Sequence, residues 1–208
     1  MYKKFPRTFH FSFSEGVSSD DKIVKSDFLL EGHEIVVTEK MDGENTTMYR
    51  DHIHARSIDS KHHSSRDWVK RFHSSIAHLI PDGYRVCGEN LFAKHSIGYD
   101  NLSSYFYGFS VWDDIGALSW DDTLMWFEEL NVIPVREIYR GDFSLDVIKE
   151  IVNDLDTKVQ EGIVVRTTDF IPYDYYDKLV AKWVRKNHVT SGQHWMHQAI
   201  TINKLGEE

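Results

Sequence analysis

The sequence is poor in cysteine and contains no long apolar run. Its 208 residues include one cysteine, Cys87, so no disulfide can form within the chain, which fits a reducing compartment. No apolar run approaches the roughly 20 residues that a membrane-spanning helix needs. The N-terminal stretch MYKKFPRTFHFSFSEG has no apolar core of a signal peptide. We therefore expect no membrane association and a cytoplasmic location.

Two common phosphate-binding motifs are also missing. The sequence contains neither G-x-G-x-x-G nor G-x-x-x-x-G-K-[ST], so it supports neither a Rossmann nor a P-loop nucleotide site. It has 12 histidines, but none lies in H-E-x-x-H or beside cysteines at zinc spacing. We expect no zinc site.

The overall charge is acidic, but the basic residues are clustered. A net charge of -9 argues against nucleic-acid binding through bulk positive charge. Lysine and arginine are concentrated in two segments, Ser60–Arg71 and Lys178–His188. The functional interpretation is that these segments form a basic face on an acidic protein. The alternative is that they form a solvated helix face.

Short strand-like stretches outnumber helical ones. Apolar spacing and N-cap residues predict helices over 65–80, 119–130 and 144–155. The strand candidates are β-branched or aromatic and are bounded by glycine, aspartate or asparagine. They lie at 33–40, 45–51, 52–58, 84–91, 105–113, 132–139, 161–168 and 178–184. Because helices are inserted irregularly among them, we expect an α+β fold with mainly antiparallel sheets.

The stretch TEKMDGEN places a lysine, Lys40, at the end of an apolar strand and just before an Asp-Gly turn. A free lysine has a pKa of about 10.4 and is almost entirely protonated at neutral pH. As a nucleophile it needs burial, or nearby cations that disfavour its charged form. The alternative is a solvated lysine beside an Asp-Gly pair that closes a hairpin.

Four further segments supply complementary chemistry. They are GENL (88–91), YFYGFSVWD (105–113), EGIVVR (161–166) and KLVAKWVRK (178–186). Together with Lys40 they offer two glutamates, an aromatic strand and several cations. Binding a nucleoside triphosphate without a P-loop requires these groups.

In order and spacing, these segments resemble the collinear motifs of the covalent nucleotidyltransferases, which are ATP-dependent DNA and RNA ligases and mRNA capping enzymes. The segment EKMDG resembles motif I, HARS resembles motif Ia and YFYGFSVWD resembles motif III. The segment EGIVVR resembles motif IV, and LVAKWVRK resembles motif V. The resemblance extends from about Ile35 to His188. The glutamate before the lysine, the GENL segment and the aromatic motif III favour phage-type RNA ligases.

The resemblance implies the adenylation-domain fold of ligases and capping enzymes, in a single nucleotidyltransferase domain over 1–208. Because only Val189 to Glu208 follow motif V, we expect no C-terminal OB-fold or helical domain. A protein partner is then one possible source of additional RNA binding.

The resemblance also implies a reaction. Lys40 would attack the α-phosphate of ATP and become lysyl-AMP. The AMP would pass to an RNA 5′-phosphate, and a 3′-hydroxyl would displace it. Thr38 and Glu39 would recognise adenine, in part through main chain.

The remaining motifs imply contacts with the nucleotide. Arg56 would contact the nucleotide or the RNA terminus, and Glu89 would bind the ribose hydroxyls. Phe106 would stack on adenine, with Tyr105 or Phe109 as alternatives.

Motifs IV and V imply a metal and phosphate site. Glu161 would hold Mg²⁺ or Mn²⁺ or orient the lysine, and Lys182 would touch the α-phosphate. A second motif V cation is either Arg185 or Lys186, and strand alternation favours Lys186.

Other functions remain open at this point. Within the same superfamily, the chain could be a small DNA ligase or a capping guanylyltransferase. From a different class, it could be a non-catalytic nucleotide- or RNA-binding module. The sequence leaves open the oligomeric state, and whether the RNA is a nicked duplex, a cleaved tRNA loop or single strands.

Overall fold

Two β-sheets, both mainly antiparallel, form the framework of the protein. The structure is a computed structural model that describes residues 1–24, 30–186 and 200–206. The strands are β1 (Phe9–His10), β2 (Glu34–Lys40), β3 (Glu44–Met48), β4 (Ile53–Ala55), β5 (Arg85–Asn90), β6 (Phe106–Trp112), β7 (Gly116–Ala117), β8 (Ile133–Pro134), β9 (Glu137–Asp142), β10 (Gly162–Thr167), β11 (Ile171–Pro172) and β12 (Val180–Val184). The α-helices are α1 (Asp67–Ile76), α2 (Trp120–Glu129), α3 (Leu145–Asn153) and α4 (Tyr176–Leu179). The predicted α+β class is confirmed.

The first sheet has the strand order β1-β12-β10-β2-β9. Its central strand β10 is antiparallel to both β12 and β2, and β1 joins β12 in parallel. The β-branched residues Val37, Ile163 and Val165 are fully buried and pack with Ile148 of α3. This burial fixes the register that places the end of β2 beside the start of β10, because a slip of one residue would expose every buried side chain.

The second sheet has the order β11-β7-β6-β5-β3-β4, with β8 paired to β6. Met48, Val86 and Phe106 from this sheet pack in one buried cluster with Val69 of α1 and Phe127 of α2. The predicted hairpin near Asp51–His52 is confirmed as β3 and β4.

The segment 132–139 crosses from one sheet to the other. One strand was predicted there, but the structure has two: β8 pairs with β6, and β9 pairs with β2. Between them, the main-chain N–H of Val135 donates to the carbonyl of Gly108 at 2.8 Å, and the carbonyl of Arg136 accepts from the N–H of Glu39 at 2.8 Å. The crossing therefore helps to hold the two sheets face to face.

The predicted helix starts are confirmed where a serine caps the helix. The Ser119 hydroxyl accepts from the N–H of Asp122 at 3.1 Å and begins α2, and Ser144 caps α3 in the same way through Val147. The helix predicted over 65–80 is shorter, because its two ends form 3₁₀ turns at Ser64–Arg66 and Ala77–Leu79.

The sequence analysis missed several short elements. Strands β1, β7 and β11 have two residues each, too few to show alternation. The helix α4 occupies the first part of the stretch predicted as the last strand. Within the residues that the structure describes, no helix is long and apolar enough to cross a membrane.

Gly162 allows β10 and β12 to approach each other closely. A Cβ at this position would lie 2.0 Å from the carbonyl oxygen of Trp183. We expect Gly162→Ala to lower the free energy of unfolding by about 1–3 kcal/mol, as overpacking does in other cores, measured by urea denaturation.

The matched control is Gly98→Ala. Its added Cβ would meet the side chain of Lys94 at 3.2 Å, and that side chain can move away. A change of less than about 0.5 kcal/mol is expected there. Equal effects of the two substitutions would contradict the close approach at Gly162.

Candidate active site

A cavity of about 570 Å³ lies between the two sheets. Six of the residues predicted for the site line it: Thr38, Glu39, Lys40, Arg56, Glu89 and Lys182. Residues that lie far apart in the sequence are thus brought together around one space. Phe106, Glu161 and Lys186 are not among the lining residues, and each has a different explanation.

Glu161 lies directly behind the lysine and forms an ion pair with it. The register of β2 and β10 sets Lys40 opposite Gly162, the residue after Glu161. The Nζ of Lys40 donates to Oε2 of Glu161, and the two side chains are 24% and 6% exposed. The carboxylate is therefore in position to control the protonation of the lysine.

The electrostatic environment of Lys40 differs from the expectation of a depressed pKa. Burial lowers the pKa of Lys40, but the charges of Glu161 and Glu89 outweigh burial and raise it above the usual value. In this structure the lysine is held as an ammonium ion. An ammonium ion is not nucleophilic, so any attack by this lysine would require these carboxylates to find another partner.

Glu89 is the second carboxylate at the lysine. Burial raises the pKa of Glu89 to about 8, against the opposing effect of Lys40. One of its oxygens accepts from the main-chain N–H of Gly43 at 3.2 Å. Glu89 is therefore oriented by the turn that follows the lysine.

The Asp-Gly turn joins the two sheets and does not close a hairpin between paired strands. It connects β2 in the first sheet to β3 in the second. An added Cβ at Gly43 would lie 2.5 Å from the carbonyl oxygen of Asn90, so a larger residue does not fit there. The hairpin alternative for this segment is therefore wrong.

The buried Asp42 carboxylate anchors a loop beside the lysine. Its Oδ2 accepts from the N–H of Ser96 at 2.8 Å, from the Ser96 hydroxyl at 2.7 Å and from the N–H of Ile97 at 2.7 Å. The N–H of Asp42 donates to the hydroxyl of Tyr99 at 2.9 Å. These contacts make Asp42 a residue that positions the site.

Lys182 and Arg56 bring positive charge to the cavity from the two different sheets. Lys182 lies on β12 opposite Val164, and Arg56 directly follows β4. Burial, together with the charge of Lys40, lowers the pKa of Lys182 to about 8.

Arg185 and Lys186, the two candidates for the second motif V cation, both lie outside the residues that line the cavity. The strand alternation that favoured Lys186 does not apply, because β12 ends at Val184 and Lys186 is exposed beyond it. Arg185 donates from Nη2 to the hydroxyl of Ser96 at 3.0 Å, and its N–H donates to the carbonyl of Glu161 at 2.9 Å.

The position of Phe106 contradicts the stacking role predicted for it, whereas its alternative Phe109 lines the cavity. Phe106 is fully buried in the core of the second sheet, where its ring lies against Phe72. Phe109 is three residues further along β6, which places it on the opposite face, and it lines the cavity. Tyr105 does not line the cavity, and its hydroxyl donates to the carbonyl of Asn203 at 3.0 Å.

The sequence analysis missed several polar residues of the cavity wall, among them Ser110 and Arg166. The hydroxyl of Ser110 is buried, with no hydrogen-bond partner in the described part of the chain. Arg166 donates to the carbonyls of Leu118 at 2.6 Å and Thr167 at 3.0 Å, and burial lowers its pKa to about 10. Arg166 ends the segment EGIVVR, so its charge at the end of an apolar strand was a visible signal.

The first basic segment offers fewer free cations than expected. Arg66 is buried, and its Nε donates to Glu44 Oε2 at 2.7 Å while Nη2 pairs with the other carboxylate oxygen. Lys61 and Arg71 are exposed, and Lys70 is partly buried. In the second segment, Asn187 and His188 lie outside the described residues.

The fold and the cavity define a protein with the architecture of a nucleotide-using ligase. A model of the RNA ligase family matches residues 33–184, so the chain belongs to the RNA ligase family. No curated protein matches the sequence.

Solved structures share the fold. An archaeal ATP-dependent RNA ligase has a TM-score of 0.57 and 14% identity, covering 88% of this chain and 48% of that one. A putative ATP-dependent DNA ligase from Aquifex aeolicus has a TM-score of 0.53 and 18% identity, covering 89% of this chain and 50% of that one. An RNA ligase variant from Naegleria gruberi, solved with ATP and Mn, has a TM-score of 0.57 and 18% identity, covering 87% of this chain and 61% of that one. The chain thus spans about half the length of the archaeal and Aquifex structures.

We expect Asp42→Ala to destabilise the protein by about 1–3 kcal/mol, because it leaves buried donors of the 96–97 loop without an acceptor. Asp42→Asn keeps one acceptor oxygen and should lose less. Urea denaturation of the two variants measures the difference. Equal stability of Asp42→Ala and wild type would contradict the anchoring role.

Proposed function

We propose that the protein is an ATP-dependent RNA ligase that joins 5′-phosphate and 3′-hydroxyl RNA ends through a lysyl-AMP and an adenylated RNA. The observation that carries this proposal is the arrangement around Lys40. A single lysine at a nucleotide-sized cavity contacts Glu161 and shares the cavity with Lys182. Membership of the RNA ligase family supports the proposal.

ATP is the nucleotide that the cavity would take. A volume of about 570 Å³ lies within the range of small-molecule sites, which is roughly 300–1,000 Å³. Phe109 would stack on the base, and Thr38 and Glu39 would recognise it in part through main chain. Glu89 would meet the ribose hydroxyls.

Adenylation would form a bond between Nζ of Lys40 and the α-phosphorus, while the bond from that phosphorus to the pyrophosphate oxygen breaks. The lysine must first lose a proton, and Glu161 is in direct contact with it. Lys182 and Arg56 would offset the negative charge of the phosphates. Electrostatic stabilisation of this kind is the main contribution of proteins to phosphoryl transfer.

The carboxylates at Lys40 fit a divalent cation that is held chiefly by nucleotide phosphates. Among the described residues no group of three or more histidine, cysteine or acidic side chains is arranged to hold a metal. Mg²⁺ commonly uses one or two carboxylates together with substrate phosphates, and Glu161 would supply one. Mg²⁺ or Mn²⁺ there would neutralise phosphate charge. Loss of the Glu161 contact would then lower the pKa of Lys40.

RNA would reach the cavity from the protein surface. The AMP would pass from Lys40 to the 5′-phosphate, and attack by the 3′-hydroxyl would release it. Among the described residues of the two basic segments, the cations available for phosphate contacts outside the cavity include Lys61, Lys70, Arg71, Lys178 and Lys186, since Arg66 is committed to Glu44. We also propose that residues 1–208 form one adenylation domain. A protein partner would supply additional RNA binding.

We expect Lys40→Ala to abolish the covalent adduct formed with α-labelled ATP and Mg²⁺, because no other described lysine of the cavity contacts Glu161. The control is Lys158→Ala, which removes an exposed lysine outside the cavity and should label like wild type. Labelling of the Lys40→Ala variant would contradict the proposal.

The same assay separates the alternatives. Labelling with GTP in preference to ATP would indicate a capping-type enzyme. Chasing the adduct with 5′-phosphorylated RNA or DNA strands distinguishes an RNA ligase from a DNA ligase. Absence of any adduct from the wild-type protein would favour a binding module without catalysis.

We expect Phe109→Ala to raise the KM for ATP by about tenfold, since base–aromatic stacking contributes roughly 1–3 kcal/mol in nucleic-acid binders. Phe106→Ala should instead lower the free energy of unfolding by about 3–5 kcal/mol, as for other buried aromatic residues. Adduct kinetics and urea denaturation measure the two effects. The reverse pattern would restore Phe106 as the stacking residue.

A further inference from the structure

The N-terminal segment builds one wall of the nucleotide cavity, although it lies outside the part of the chain that matches the RNA ligase family. The family match begins at residue 33. The cavity nevertheless includes residues from before that point, which are Phe5, Pro6, Arg7, Thr8, Asp20 and Asp21. The early chain thus contributes directly to the proposed active site.

Main-chain hydrogen bonds fix this wall to the strand that carries Lys182. In the parallel pairing of β1 with β12, His10 lies opposite Lys182, and the N–H of Phe11 donates to the Lys182 carbonyl at 2.8 Å. The chain then returns past His10, whose N–H donates to the carbonyl of Lys22 at 2.8 Å, while its own carbonyl accepts from the N–H of Val24 at 2.8 Å. This return brings Asp21 to the wall of the cavity that Lys182 also lines.

The Asp21 carboxylate is held on both of its oxygens. Oδ2 accepts from the N–H of Ser18 at 3.1 Å and from its hydroxyl at 2.8 Å. Oδ1 lies 3.4 Å from Nε2 of the fully buried His10. Burial raises the pKa of Asp21, but the Ser18 hydrogen bonds, with the charges of Lys182 and His10, lower it to about 2. Asp21 is therefore a carboxylate at neutral pH.

The other ring nitrogen of His10 ties the segment to the end of β12. Nδ1 lies 2.9 Å from the hydroxyl of Ser14, which accepts from the N–H of Val184 at 3.0 Å. Serine, histidine and aspartate are also the residues of a hydrolytic triad, but the Ser14 hydroxyl is committed to Val184 and does not line the cavity. The network therefore acts as a tie between the N-terminal wall and β12.

Several charged groups surround the Lys182 ammonium ion. Burial and the charges of Lys40 and Arg56 oppose the protonated form, whereas Asp21 and Glu161 favour it. The other titratable groups of the cavity wall and its N-terminal network are Arg7, His10, Asp20, Glu39, Glu44, Glu89, His95, Arg166 and Tyr176. Glu161 is already paired with Lys40, and Asp21 is the other carboxylate whose charge favours the protonated form of Lys182.

We propose that Asp21, held by His10 and Ser18, is a positioning residue that keeps the Lys182 ammonium charged and directed into the cavity before the nucleotide arrives. The placement of Asp21 and Lys182 stands on the structure, while the role in adenylation rests on the proposed function. With its position fixed in advance, Lys182 would meet the α-phosphate without reorganisation, which is the condition for strong electrostatic stabilisation.

The direct test is the titration of Lys182 by NMR in protein labelled with ¹³C-lysine. The Lys182 signal is assigned by its absence in Lys182→Arg. Loss of a nearby opposite charge shifts a pKa by about one unit or more, so we expect Asp21→Asn to move the Lys182 titration about one pH unit lower. This readout needs no enzymatic activity, so it stays informative if the proposed function fails.

Two further variants serve as controls for the titration. Glu15→Gln makes the same charge change on the same segment, outside the cavity, and should leave the Lys182 titration in place. Ser18→Ala keeps the Asp21 charge but removes the hydrogen bond from the Ser18 hydroxyl. It should cause a smaller shift in the same direction, and it replaces Asp21→Asn if that variant does not fold.

The functional arm measures adduct formation with ATP against pH. On the alkaline side of the pH profile, Asp21→Asn should lose adduct formation at a lower pH than wild type does. Because arginine stays charged throughout this range, Asp21→Asn made in a Lys182→Arg background should cause no such shift. An unchanged Lys182 titration in Asp21→Asn, or an equal shift in the Lys182→Arg background, would overturn the proposal.

Discussion

The ion pair between Lys40 and Glu161 is the interaction on which the rest of the site depends. It forms because β2 and β10 pair in one register, with Gly162 allowing β12 to lie against the start of β10. The pair keeps Lys40 protonated, which is opposite to the state that the proposed adenylation requires. A lysine with a strongly depressed pKa would be reactive at all times, whereas this lysine depends on a change at its carboxylate partner.

Charge balance explains why these groups can share a small cavity. Lys40, Lys182 and Arg56 supply positive charge, and Glu161 and Asp21 supply negative charge, while burial raises the pKa of the Glu89 carboxyl to about 8. Burial disfavours the charges of Lys40, Lys182 and Asp21, so an opposite charge nearby stabilises each of them. A nucleotide with its negative phosphates would disturb this balance most at the lysines.

Much of the framework followed from local sequence. The runs Ile35–Val37 and Ile163–Val165 predicted the central strands, and the family resemblance correctly indicated that Lys40, Glu89, Glu161 and Lys182 belong together. The errors arose where a residue distant in the sequence determines the local structure. Alternation separates Phe106 from Phe109, but only packing on α1 and α2 shows which face of β6 is the core. Arg66 is buried by a glutamate 22 positions away, and β1 exists only because β12 accepts it.

Four chain crossings between the sheets limit how the cavity can change shape. They are the links 41–43 beside the lysine, 135–136, 168–170 and 173–179. An extended chain covers at most roughly 3.3–3.6 Å per residue, so the three shortest links have no slack to let the sheets move far apart. The width of the cleft is therefore set by covalent geometry. Adaptation to a substrate must come from side chains, loops and the N-terminal wall, with the two sheets acting as a rigid frame.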